Sequence, residues 1–389
     1  MAKGSGTWKR LKFGEVAECV NDRVDDPKAA GVDRYVGLEH LDPESLAIRR
    51  WGNPSDVEST KLRFKPGDII FGKRRAYQRK LAVADFDGIC SAHAMVLRAK
   101  PKTVLPEFLP FFMQSDFFME RAVAISVGSL SPTINWKSLA AEEFVLPPLE
   151  EQRRAVILLD DVRGLAESSS ELREAAHACC RSWLRATAER LLAGAPRTVP
   201  LGELLDGSPD SGCSAHEREE ETGYWVLGLS SLTSSGYVAS EYKAVDRTPA
   251  MLSARLSHGD LLITRSNTRE RVGFVGQFVD DGREVSFPDT MMRLRPKVSR
   301  VSAEWLELML QSAPIRGAIQ ATAAGTSASM KKINRQNLLA ILVPDVSLSE
   351  QEAHIDAFST LRKAELSAAT RMAKAHELRR TVTAEVVKA

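Results

Sequence analysis

The chain has 389 residues, with 43% hydrophobic and 27% charged side chains, the balance of a folded protein long enough for two or three domains. Its formal net charge is +2, so bulk charge announces no polyanionic partner and any nucleic-acid contact must come from local clusters. The apolar runs, such as 156–159 and 338–343, fall well short of the roughly 18–20 residues that cross a bilayer, so no membrane association is expected.

The N-terminal stretch MAKGSGTWKRLKFGE has no apolar segment behind its basic residues, which argues against a signal peptide. Cysteines stand at 19, 90, 179, 180 and 213 without CxxC spacing, and the seven histidines are scattered. A disulfide framework and a structural metal site are therefore not expected, and the reading is a reducing, cytoplasmic compartment.

In chain order, residues 1–148 read as a first mixed α/β domain. A Gly67-Asp68 turn leads into the short apolar run IIF, the pattern of a buried strand. The segment KRRAYQRK at 73–80 follows and packs five cations into eight residues. A helix is expected over 106–122, then a polar small-residue loop, SVGSLSPTINWK at 126–137, and a strand ending at Pro147-Pro148. Residues 149–195 read as a long helix, with one glycine, Gly164, and no proline between Glu150 and Ala193. Its apolar series runs through Leu158, Val162, Leu165, Ser169, Leu172, Ala176, Cys179, Trp183 and Ala186.

The same order then recurs at a period of about 195 residues. YVGLEHL at 35–41 is echoed by VLGLSSL at 226–232, and FKPGDIIFGKRR at 64–75 by LSHGDLLITRSN at 256–267. FLPFFMQS at 108–115 is echoed by WLELMLQS at 305–312, and MVLRAKP at 95–101 by MRLRPK at 292–297. GSLSPTINWKSL at 128–139 answers GTSASMKKINRQNL at 325–338, and FVLPPLEEQ at 144–152 answers LVPDVSLSEQ at 342–351. Residues 196–346 thus form a second copy, with a helix expected over 303–321, and 347–389 a second long helix. Its seam is Phe358, Leu361, Glu365, Ala368, Met372, Ala375, Arg379, Val382 and Val386, and Ser349-Glu350-Gln351-Glu352 resembles a capping box. The sustained 3-4 spacing in both helices argues for a coiled coil. The expected fold class is α+β: two similar mixed α/β domains separated by two long helices packed as an antiparallel, pseudo-twofold coiled coil.

The catalytic signatures of DNA-modifying and nucleotide-using enzymes are absent. NPSD at 53–56 lacks the second proline and the aromatic of a methyltransferase tetrapeptide, and there is no G-x-G-x-x-G or Walker loop. Cys90 and His93 in DFDGICSAH read as a strand cysteine and an ordinary histidine rather than a catalytic pair. Basic loops are the better lead. Lys73, Arg74, Arg75, Tyr77, Gln78, Arg79 and Lys80 in the first copy, and Arg265, Ser266, Asn267, Arg269 and Arg271 in the second, combine phosphate-binding cations with Arg and amide groups that read base edges. The loop before each closing strand adds Ser129, Asn135 and Lys137, and Ser327, Lys331, Lys332, Asn334 and Arg335. Its asparagines either contact DNA or only cap the local backbone.

On the GDIIF and GDLLI blocks, the GSLSPTIN and GTSASMKKIN loops, the LPPLEEQ and VPDVSLSEQ junctions and the duplicated helices, the chain resembles the specificity subunit of type I restriction–modification systems. The resemblance covers essentially the whole chain. It implies two domains that each read one half of a split double-stranded DNA site, and helices that set the spacing. It further implies docking of two methyltransferase subunits that bring S-adenosylmethionine, with a restriction subunit joining for cleavage. No catalytic residue, metal or cofactor is then expected in this chain. The second junction departs from the pattern, since VPDVSLSEQ has no Pro-Pro pair, which leaves the start of the second helix less defined. The alternative from another class is a coiled-coil scaffold that binds proteins and not DNA.

Overall fold

The computed structural model describes residues 7–194, 198–325 and 331–387. They form two compact units, one of residues 7–171 with 370–387, the other of residues 172–369.

In the first unit, the opening strand Lys9–Lys12 pairs antiparallel with the closing strand Glu143–Leu146, so the domain shuts just before the long helix begins. Between them lies an antiparallel sheet in the order Ala17–Val20, Ala94–Ala99, Ile69–Gly72 and Leu81–Val83. A second sheet runs Arg23–Val24, Lys61–Phe64, Gly88–Ser91 and Tyr35–Val36, its last pair parallel. Gly67, at φ 88°, makes the turn that a Cβ would strain. Asp68 behind it is buried and takes both prongs of Arg98, at 2.8 and 3.0 Å. The strand that follows is apolar at every position because both its faces are covered. Ile69 and Phe71 join a phenylalanine-rich core with Phe13, Phe112, Phe118 and Phe144, while Ile70 joins a second core with Leu62, Phe64 and Val96.

The second unit repeats this plan. Thr198–Pro200 pairs antiparallel with Leu342–Pro344. The main sheet runs Asp210–Ser211, Met291–Leu294, Leu261–Thr264 and Val275–Gln277. A three-stranded sheet runs Tyr242–Ala244, Tyr224–Leu227 and Glu284–Ser286, again with one parallel pair. Gly259 is at φ 85°, and Leu261 and Ile263 face one core while Leu262 faces another.

The helix expected over 106–122 is two helices, Phe108–Gln114 and Asp116–Ala124, and its counterpart is Ala303–Gln311 and Ala313–Ala321. A buried serine makes each break. The hydroxyls of Ser115 and Ser312 donate to the carbonyls of Phe112 and Met309, both at 2.6 Å, diverting a bond the helix would need to continue.

The long helices are Leu149–Gly194, 46 residues, and Leu348–Val387, 40 residues, roughly 60–70 Å each at ~1.5 Å per residue. They pair antiparallel within each unit. In the first, Ala155 and Leu159 share a core with Val387, and Ser170 Oγ lies 3.2 Å from His376 Nε2. In the second, His177 Nδ1 lies 2.6 Å from Glu365 Oε1 and the Trp183 ring packs on Phe358. The second helix starts with a capping box two residues before the expected one: Ser347 N donates to Glu350 Oε2 at 3.0 Å and Glu350 N to Ser347 Oγ at 3.4 Å.

Along the second helix, Phe358, Leu361, Met372 and Val382 are partly buried, and Ala368 and Ala375 are buried. The first helix differs at alternate seam positions. Val162 and Ser169 are buried, Leu158, Ala176 and Trp183 are partly covered, and Leu165, Leu172, Cys179 and Ala186 are exposed. The buried partners sit one residue later, at Leu159, Ala166, Cys180 and Thr187. Hydrophobicity favoured Leu165, yet the structure buries the smaller Ala166 beside it.

Candidate nucleic-acid interface

In each unit the basic loop and the polar loop, some 60 residues apart in sequence, are joined by backbone hydrogen bonds. In the first, Ile134 N donates to Lys73 O at 2.9 Å, Arg75 N donates to Pro132 O at 2.7 Å, and Arg74 forms a bridge with Thr133. Val127 and Thr133 exchange two bonds, at 3.1 and 3.0 Å, so 127–133 is a tight hairpin set beside the basic loop. In the second, Ser266–Asn267 pairs antiparallel with Lys331–Lys332, and Ile333 N donates to Arg265 O at 2.9 Å, the counterpart of the Ile134–Lys73 bond. Ala324 and Lys332 exchange two bonds as Val127 and Thr133 do.

The result in both copies is a basic ridge. In the first, Arg75, Tyr77, Ser129, Asn135 and Lys137 are exposed, and Lys73, Arg74 and Gln78 are half-buried at its base. Arg75 Nε donates to Ser131 Oγ at 3.3 Å, and Arg74 Nη1 lies 3.3 Å from His93 Nε2. His93 registers the local field: burial, then Arg74, Lys73 and Lys61, hold its pKa below the ordinary histidine value. Cys90 beneath it is buried and its thiol is pushed up to about 12, which removes it as a nucleophile at neutral pH. All five cysteines are free.

In the second, Arg269, Arg271, Lys332 and Arg335 are exposed and Arg265 and Asn267 half-buried. Arg265 Nε and Asn267 Nδ2 are buried without a hydrogen-bond partner, polar atoms that an incoming ligand could satisfy. The loop is held from behind. Gln320 Nε2 donates to Arg269 O at 3.0 Å, and Arg316, stacked 4.2 Å from the Phe274 ring, donates to Glu270 O. Lys331 Nζ donates to Gly325 O at 2.5 Å and Arg335 Nη2 to Ser211 Oγ at 2.6 Å.

Several residues expected to face DNA are engaged elsewhere. Arg79 Nη1 donates to Asp116 Oδ1 at 2.6 Å and its Nη2 to Gln114 O at 2.5 Å. Lys80 Nζ donates to Leu38 O at 2.6 Å. Asn135 and Asn334 are helix N-caps, accepting from Lys137 N at 2.9 Å and Asn337 N at 2.6 Å, so the local-backbone reading holds for their side-chain oxygens. Ser266 is buried, and Ser327 lies outside the described residues. Sequence reading missed Ser131, Arg316 and Gln320, which position the loops, and took His93, which contacts Arg74, for an ordinary histidine; of the three missed, only Ser131 carried a signal, through its place in a duplicated block.

The junction glutamines were also missed as individuals. Gln152 and Gln351, the last letters of LPPLEEQ and VPDVSLSEQ, are buried. Gln152 accepts from Leu105 N at 2.8 Å and donates to Pro147 O at 2.9 Å and Thr103 O at 3.3 Å. Gln351 accepts from Ser302 N at 3.0 Å and donates to Val346 O at 2.9 Å and Arg300 O at 2.8 Å. Each one ties the first turn of a long helix to its domain.

Residues 7–175 match the family described as the type I restriction modification DNA specificity domain. The type I restriction enzyme EcoDI specificity subunit of Escherichia coli is 29% identical over 170 residues. That alignment takes in 41% of this chain and 36% of the relative, so the chain spans about a third of the curated relative it matches. A solved chain from work on complex assembly and conformational transition of the type I R-M system superposes with a TM-score of 0.64 at 20% identity, over 100% of this chain and 99% of that one. The type I restriction–modification S subunit from M. genitalium gives 0.56 at 15% identity, over 100% and 98%. Over residues 7–175 the chain is thus similar to the type I restriction modification DNA specificity domain, and over its whole length it shares the fold of solved type I S subunits.

Proposed function

We propose that this chain is the DNA-reading, non-catalytic subunit of a type I restriction–modification assembly, with each unit reading one half of a bipartite double-stranded site. The observation that carries this is the ridge built twice in register, its framework bonds repeated and its exposed side chains different. A shared framework with distinct faces suits two different half-sites. In this reading the exposed Arg75, Arg269 and Arg271, with the half-buried Gln78, read bases, while the exposed Lys137, Lys332 and Arg335 contact phosphates.

The long helices set the spacing between half-sites. They also dock two methyltransferase subunits, which bind S-adenosylmethionine and perform the chemistry, in the cytoplasm where the DNA is. A restriction subunit joins where the system cleaves. Ile157 and Leu165, 67% and 50% exposed on one face of the first helix, are apolar surface suited to that docking.

Methylation mapping of the host genome, with and without the gene for this chain, tests the reading. A split adenine-methylated motif that disappears with the gene is expected. Unchanged methylation, together with no sequence enrichment when the chain and its methyltransferase are offered a random duplex pool, would sink it.

A further inference from the structure

Among the described residues, three that are not glycine adopt left-handed backbone: Glu44 at φ 59°, Arg75 at 57° and Arg79 at 53°. All three meet in one place in the first unit. Arg75 and Arg79 flank the single turn Ala76–Gln78, and Glu44 N lies 3.5 Å from Arg79 O. A side chain disfavours this backbone, and proteins keep it where surrounding contacts over-determine it, often at ligand clamps.

The contacts that do so are polar and converge from three elements. Arg79 is bonded to Asp116 and Gln114 at the break between the two short helices, with Glu44 Oε1 4.0 Å from its Nε. Glu44 in turn is held by Arg379 of the second long helix, through its carboxylate at 2.7 Å and through its carbonyl. Arg379 is largely buried, with 14% of its side chain exposed. The other end of the turn is pinned by the bonds from Arg75 to Pro132 and Ser131. Between the two pins, Arg75 and Tyr77 project into solvent, Tyr77 at 54% exposure.

We propose that Glu44, Arg79 and Arg379 are positioning residues that hold the 75–79 turn ready-made, so that Arg75 and Tyr77 read the first half-site. The Arg75 fork suits a guanine edge and the Tyr77 ring a thymine methyl. A turn already in its bound shape loses little conformational freedom on binding, and that is where its affinity comes from. First-half-site affinity then depends on the last turns of the second long helix, which touch no DNA in this scheme. The second unit holds its loop by other means, through Arg316 and Gln320, and has no such backbone among its described residues. The effect is therefore confined to one half-site.

This rests on the DNA-reading proposal, and the experiment separates the two. Duplexes are selected from a random pool by the full chain with its methyltransferase. Probes are then made with only the first or only the second half-site intact, and bound to Arg379→Ala, Glu44→Gln and Arg79→Gln variants. Each variant should lose about tenfold on the first-half probe and stay within about twofold on the second, with an unchanged salt slope because no phosphate contact is lost. The Arg379→Ala, Glu44→Gln double variant should be little worse than either single, since both break one network. Equal losses on both probes would show a general folding defect and overturn the proposal, as would wild-type affinity on the first-half probe. A salt slope lowered by about one would make Arg79 a phosphate contact instead. If the wild-type complex enriches no sequence, the DNA-reading proposal itself fails, and this one with it.

Discussion

Arg75 and Lys80 stand in the same basic run, and only Arg75 faces solvent. Arg75→Ala should relax the first half-site at one base and cost roughly 1–3 kcal/mol of binding. Lys80→Ala removes the bond to Leu38 O and should lower stability with no change in base preference. Selection from random duplexes, read beside thermal unfolding, separates the two; altered specificity in Lys80→Ala would contradict its placement. Asn135→Ala and Asn334→Ala should each cost about 0.5–2 kcal/mol of stability through loss of an N-cap.

Protonation supplies a further test at this scale. The His354 ring is stacked on Trp305 and edge-on to Trp183, and burial, aided by Arg190, pushes its pKa below the ordinary value. Burial acts in the same direction on His93 and His376. A histidine with a depressed folded pKa takes up protons more readily when unfolded. Its stabilising contribution is therefore full above the ordinary value of about 6.5 and is lost as pH falls through it toward the folded value. The melting temperature should drop between pH 7.5 and 5.5, and His354→Phe, which keeps a flat ring, should show a shallower drop. An identical pH slope in that variant would exclude His354 as a source.

At the level of elements, the junction glutamines show what a duplicated motif can and cannot convey. The recurrence of Gln152 and Gln351 was visible in the blocks LPPLEEQ and VPDVSLSEQ. Their role was not, because the groups they satisfy lie some 50 residues upstream, at Thr103 and Leu105 and at Arg300 and Ser302. Gln152→Ala would leave buried backbone groups unpaired and should cost roughly 1–3 kcal/mol. Gln351→Ala should match it, a symmetry that denaturant unfolding of the two variants can check. The first helix seam teaches a related lesson. Leu158 and Leu159 are adjacent, as are Cys179 and Cys180, so periodicity alone admits two phases. At 165 and 166 the structure chose alanine over leucine. Leu165→Gln should therefore leave stability nearly unchanged, while Ala166→Glu should disrupt the seam, and calorimetry distinguishes them. The helix break at Ser115 was illegible for another reason: a hydroxyl turned onto a carbonyl of its own helix leaves no trace in hydrophobic spacing.

At the scale of the whole molecule, the duplication made the plan readable. Two copies of the same blocks imply two copies of one fold, and the strands, turns and closing pairs recur as the blocks do. What duplication could not convey is that the first unit is built from both ends of the sequence. Val387 is 2% exposed in a core that contains Phe13 and Phe112, with Val382 and Val386 packed against it. No local pattern ties residue 387 to residue 13; only the antiparallel return of the second helix brings them together. The consequence can be tested by truncation after Ala369. That cut removes Val387 from the first core and Arg379 from Glu44, but takes nothing from the second unit as its contacts define it. Hydrogen exchange should then lose protection in Ile69–Gly72 and Phe108–Gln114 while Leu261–Thr264 keeps most of its own. Val387→Ala in the full chain should show the same selectivity on a smaller scale, as expected for a buried large-to-small change costing about 1–3 kcal/mol. If the first-unit strands kept full protection in the truncated chain, the C-terminal turns would be a passive extension rather than part of that core.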